Sequence, residues 1–158
     1  MNKKIPTVEL QLQSTLLKVV RASVGTPMFQ TLYADVDGRR RDVTKRGDLS
    51  CAFYVSGILS MFGLLDEVHG TVGGTVATMK EFGWRQTRQL KPGSVLVWDQ
   101  PPDGSHYHRH IGFYIGNGQA VSNSPDRRVP VRHHYTFGRP GGKKHRPVRA
   151  IYTHLELK

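Results

Sequence analysis

The chain has 158 residues, with 23 Lys and Arg against 12 Asp and Glu, a formal net charge of +11 and a single cysteine. That length suits one domain spanning 1–158 with a core large enough to need no covalent staples, and one cysteine excludes an intramolecular disulfide framework. The charge predicts non-specific attraction to polyanions. Outside Arg39-Arg40-Arg41, Arg127-Arg128 and 143–149 it is dispersed as on an ordinary solvated surface.

No stretch has the length and apolarity of a membrane span. Lys3 and Lys4 resemble the basic start of a signal peptide, but Glu9, Gln11 and Gln13 interrupt the apolar run that must follow. The expectation is a protein made in the cytoplasm without a signal peptide and carried to any wall substrate by another route. From Leu12, the spacing of Leu16, Leu17, Val19 and Val20 predicts an amphipathic helix closed by Gly25 and Pro27. Residues 26–49 carry a weak pattern, with Phe29, Leu32 and Tyr33 as core candidates and Asp37-Gly38 as a turn. Residues 47–63, GDLSCAFYVSGILSMFG, read as a second helix with Ser50 at the N-cap and Gly63 as the stop. A loop over 70–74, a short helix over 75–82 ended by Gly83, and an extended stretch over 84–90 follow.

From Lys91 the pattern turns to strand. Pro92-Gly93 is a turn, 95–98 a short buried strand, and 101–107 a loop rich in histidine. Strands over 111–115 and 119–124 are joined at Gly116-Asn117-Gly118, with further strands over 129–133 and 150–157. Helices followed by strands predict an α+β fold with N-terminal helices packed on one antiparallel sheet.

Cys51 falls in the first turn of the second helix, where unpaired N–H groups and the helix dipole favour a thiolate. A lone cysteine is more commonly a small buried hydrophobe, so a nucleophile needs a base. His110, opening the apolar strand, is the candidate. The third group depends on hairpin register. A three-residue loop pairs Gly112 with Ser122 and sets Ser122 on the face of His110. A two-residue loop brings Asn123 there instead. Asn123 is the chemically better orienter, because its carbonyl accepts from an imidazole N–H; both remain candidates.

The segments SCAFYVSGIL, LKPGSVLVW and HIGFYIGNGQAVSNS, within about residues 47–125, resemble the NlpC-type family of papain-like cell-wall cysteine peptidases. The resemblance implies a papain-like fold, Cys51 as nucleophile, His110 as base and a third residue at Ser122, where the family commonly has a second His. The family's Asp before the cysteine is Ser50 here, and its Pro-Gly-Asp turn is Pro92-Gly93-Ser94. The implied substrate is the peptide part of peptidoglycan or a muropeptide, cut through an acyl-enzyme without a cofactor.

Competing readings come from other residues. His106, His108 and His110 alternate and, in a strand, would share a face as zinc ligands do, but the segment reads as loop and offers no fourth ligand. No metal is therefore expected. Tyr107, Trp84 and Tyr135 near basic residues suggest nucleic-acid stacking without a recognised motif. His133 and His134, on a neighbouring strand, are minor candidates for the cleft. The alternatives in function are a catalytically inactive papain-like module that binds polyanions, and an acyltransferase or amidase with a non-wall substrate.

Overall fold

The computed structural model describes residues 4–104, 108–143 and 145–158. Helix α1 (Leu12–Ala22) forms where the periodicity predicts, burying Leu16, Leu17 and Val20. Strands β1 (Tyr33–Val36) and β2 (Arg39–Asp42) pair as a separate hairpin about Asp37-Gly38. Both turn residues have positive φ, 51° and 72°, the conformation that an Asp-Gly pair tolerates. The two strands are largely exposed, so they bear no alternating apolar signature.

Helix α2 (Cys51–Met61) buries Ala52, Tyr54, Val55, Ile58 and Leu59. Tyr54 fixes its first turn. The phenol exchanges a 2.8 Å hydrogen bond with the Ser23 hydroxyl at the end of α1, and its ring meets Phe29 and Phe113 edge-on at 5.2 and 5.7 Å. Each such aromatic pair adds about 0.5–1.5 kcal/mol beyond the area it buries. Helix α3 (Val72–Glu81) begins inside the stretch expected to be loop. The Thr71 hydroxyl caps it by accepting from the Gly74 N–H at 3.1 Å. That cap, with burial of Thr75, Thr78 and Met79, overrides the poor helix propensity of Gly73 and Gly74.

Strands β3 (Arg85–Thr87), β4 (Val95–Trp98), β5 (His110–Gly116), β6 (Gln119–Ser124), β7 (Val129–His134) and β8 (Val148–Thr153) form one antiparallel sheet in the order β3-β8-β4-β5-β6-β7. The last strand starts and stops earlier than 150–157, and Leu155 beyond it is exposed. Val95, Val97, Ile111, Phe113 and Val121 join the helices in the main core. Leu96, Trp98, Tyr114 and Ala120 build a smaller cluster in which alternate residues of the same strands take part. The architecture is α+β, with the helices packed on an antiparallel sheet, as the order of elements predicts.

Candidate active site

Ser50 precedes α2, but its hydroxyl does not cap the helix; it donates to the Phe29 carbonyl instead. The N–H groups at the start of α2 are thus left to other acceptors. The backbone N–H groups of Ile111 on β5, of Ala52 and of Cys51 itself favour the thiolate form of the Cys51 sulfur. The residue is half-buried. Burial is the largest influence on the thiol and pushes its pKa above the usual cysteine value, against the weaker pull of those N–H groups and of the Arg146 charge. Burial thus works against the thiolate that the helix terminus is expected to favour.

His110, 4% exposed, opens β5 beside Trp98, its partner across the strand pair. Its Nε2 lies 2.8 Å from the Ser122 hydroxyl, and the same hydroxyl lies 2.7 Å from Nε2 of His133 on β7. The polarity of this chain follows from its far end. His133 Nδ1 sits 2.7 Å from the His134 carbonyl, so it must donate. Burial pushes the His133 pKa down to about 4, so at neutral pH its Nε2 is an acceptor. Ser122 therefore donates to His133 and accepts from His110 Nε2–H. With that proton on Nε2, the neutral form of the ring carries its lone pair on Nδ1, the tautomer that a general base needs.

Aromatic rings hold this row of groups. Trp98 lies 5.6 Å from the His110 ring and 5.7 Å from the His133 ring, while Phe137 stacks on His133 at 3.9 Å.

Asn123, the chemically favoured orienter, does not fill that role. Its Nδ2 donates to the Gly47 carbonyl ahead of α2 at 2.7 Å, and its Oδ1 accepts no hydrogen bond among the described residues. The reason lies in the hairpin. Asn117 and Gly118 form a two-residue turn, both with positive φ, and Gly116 pairs with Gln119. The register then shifts before Tyr114, which pairs with Ala120, and Phe113 with Val121. Ile115 is the extra residue. Beyond this bulge the strands run in the register of a three-residue loop, which puts Ser122 at His110. The Ser94 hydroxyl closes the Pro92-Gly93 turn by accepting from the Lys91 N–H at 3.1 Å.

Cys51 and His110 line one cavity together with His108, Arg109, Asn123 and Arg146. A second cavity, lined by Ser122, His133 and Phe137, shares His110, Asn123, Pro125 and Arg146 with the first. Among the described residues no hydrogen bond joins the Cys51 and His110 side chains. Of the backbone N–H groups that favour the thiolate, the strongest influence is that of Ile111, the residue next to His110. Catalytic contacts in unliganded sites are often long and close only around substrate.

Arg146 is the site residue that sequence reasoning missed. It lies in the basic segment 143–149 that reads as solvated surface, yet it is 6% exposed and borders both cavities. No spacing or motif distinguishes it from its neighbours. Of the alternating histidines, His106 lies outside the described residues, and His108 offers its backbone carbonyl to Arg146. No group of three metal-ligating side chains occurs among the described residues. Trp84 is a fully buried core residue whose indole donates to the Leu64 carbonyl, so it offers no stacking platform; Tyr135 is partly buried and meets Tyr114 edge-on, and Tyr107 is outside the described residues.

No family profile matches the sequence. No curated protein matches it either. Among solved structures the chain is similar to NlpC2 from Trichomonas vaginalis, at 16% identity and a TM-score of 0.55 over 96% of this chain. The match spans about half, 52%, of that protein's chain. The likeness is one of fold: the chain has an NlpC-like, papain-like α+β architecture.

Proposed function

We propose that the protein is a cysteine hydrolase that cleaves peptide bonds in peptidoglycan stem peptides or muropeptides. The observation that carries this reading is the row His110–Ser122–His133, whose polarity leaves His110 able to accept a proton beside the cavity that also holds Cys51. The NlpC-like fold and the motifs around Cys51 and His110 support the choice of substrate.

In this mechanism the thiol loses its proton to His110 Nδ1 as the sulfur attacks the carbonyl carbon. The imidazolium is held by its Nε2–H bond to Ser122. The backbone N–H of Cys51, at the start of α2, supplies part of the oxyanion hole. Collapse of the tetrahedral intermediate breaks the C–N bond, and His110 returns its proton to the leaving amine. Water, deprotonated by His110, then cleaves the thioester and restores the thiol. A thiol that is protonated at rest gives a concerted transfer rather than a preformed ion pair. The basic surface would hold the protein to anionic wall polymers.

The test is digestion of purified peptidoglycan by the wild type and by Cys51→Ala, with fragments identified by mass spectrometry. New peptide termini with the wild type alone are expected. Identical behaviour of the two proteins on every wall substrate, with tight and steeply salt-dependent binding of nucleic acid by both, would favour the polyanion-binding module.

A further inference from the structure

Arg146 is an interior cation with no ion-pair partner among the described residues, although the Asp99 charge lies near enough to favour its charged form. Its Nε donates to the Asp99 carbonyl at 3.0 Å and its Nη2 to the His108 carbonyl at 2.8 Å, and the guanidinium lies over the Phe137 ring at 5.6 Å. Both hydrogen-bond acceptors are neutral. Among the described residues no carboxylate comes within ion-pair distance of it, and the Asp99 carboxylate pairs instead with Arg149 at 2.9 Å. The remaining residues, Met1-Asn2-Lys3, Ser105-His106-Tyr107 and Lys144, include no acid. A buried charge of this kind is costly unless something completes it.

The surroundings point the same way. Arg146 borders both cavities, with Lys45 and Arg109 on the Cys51 side and Arg127 and Arg132 on the other. Among the described residues only Asp48 and Asp126 carry the opposite sign along these walls. The two carbonyls fix the plane of the guanidinium before any ligand arrives. A carboxylate then meets a preset fork of donors in a site shielded from water, where a charge-assisted bond is stronger than at the surface. A thiol that is protonated at rest does not repel an anion bound nearby.

We infer that Arg146 anchors a carboxylate of the substrate next to the reacting carbonyl, so that the cleft selects peptides with a free carboxylate near the scissile bond over their amidated counterparts. This deepens the hydrolase reading and rests on it for turnover, though not for binding. The competing role for Arg146 is mechanical, tying the segments at Asp99 and His108 together.

The experiment compares one stem peptide, with its carboxylates free or amidated, on wild type, Arg146→Lys and Arg146→Gln. The wild type should favour the acidic form by about tenfold or more in kcat/KM, chiefly through KM. That ratio should collapse towards one in Arg146→Gln and survive in part in Arg146→Lys. An unchanged ratio in Arg146→Gln, or no preference in the wild type, overturns the inference. Equilibrium binding of the same two peptides to Cys51→Ala supplies a readout that needs neither turnover nor a stable Arg146 variant. Equal affinities there also overturn it. Preference in binding with no hydrolysis of any peptide would sink the hydrolase reading and leave the carboxylate site standing.

Discussion

A Cβ placed on Gly112 would lie 2.6 Å from the Cβ of Ser122, and 2.7 Å from the backbone oxygen of Val121. Only glycine lets β5 and β6 approach closely enough for the Ser122 hydroxyl to reach His110. Neither obstacle is a flexible side-chain tip, so the strands themselves must give way. Gly112→Ala should cost about 1–3 kcal/mol of stability by overpacking. It should also lower kcat by about a hundredfold through loss of an oriented base, with a smaller change in KM. Thermal melts and steady-state kinetics read both; a folded, fully active variant would show that Ser122 does not hold the base.

His133 makes stability depend on pH in a defined window. Its folded pKa, about 4, lies below the ordinary histidine value of 6.5, so the unfolded chain binds the extra proton first. The stability it contributes is complete above about pH 6.5 and is lost as pH falls towards 4. Below that both states are protonated and the loss levels off. Denaturant midpoints should fall across this interval, and His133→Phe should flatten the slope. The same substitution removes the acceptor for the Ser122 hydroxyl, so nitrogen NMR should find the His110 proton no longer held to Nε2. An unchanged His110 tautomer in His133→Phe would contradict the polarity assigned to the row.

Alkylation tests the state of the thiol. Iodoacetamide reacts with the thiolate, and burial holds the Cys51 pKa above the usual value. Labelling of the native protein should therefore be slow at neutral pH and rise only in the alkaline range. Arg146→Gln should push the rise further up, because the charge that favours the thiolate is gone. Rapid labelling well below pH 8 would mean an ion pair with His110 already exists at rest.

Salt should separate adsorption from chemistry. Moderate salt screens the dispersed surface cations and should weaken binding to whole walls. Turnover of a small amidated peptide should stay within about threefold, since screened surface charges alter a shielded step by less than ~1 kcal/mol. A steep fall of peptide turnover with salt would place those cations in the chemistry itself.

The order of helices and strands was legible because α1, α2 and β4 to β6 carry apolar patterns dictated by what they bury. The starts of α2 at Cys51 and of β5 at His110 were legible because an apolar run opens at each. The choice between Ser122 and Asn123 was not, since it turns on a single bulge at Ile115 that both strands accommodate without a change in residue type. The β1–β2 hairpin hid because exposed strands need no pattern, and the start of α3 hid behind two glycines that a threonine cap overrules. Arg146 escaped because burial of a cation is decided by the segments that close over it, and these are distant in sequence.

The position of β8 has a consequence for how the protein is made. It is the last strand in the chain, yet it lies between β3 and β4 in the sheet. Until it leaves the ribosome, β4, whose four residues are all buried in the finished protein, presents an apolar edge with no partner. The two parts of the sheet, β3 and β4 to β7, are joined only once β8 has emerged, and the apolar edge is open to wrong partners through that interval. Release of a chain stopped before Val148 should yield an aggregating product rather than a shortened folded domain, even though every residue of the Cys51–His110–Ser122–His133 set would already be present.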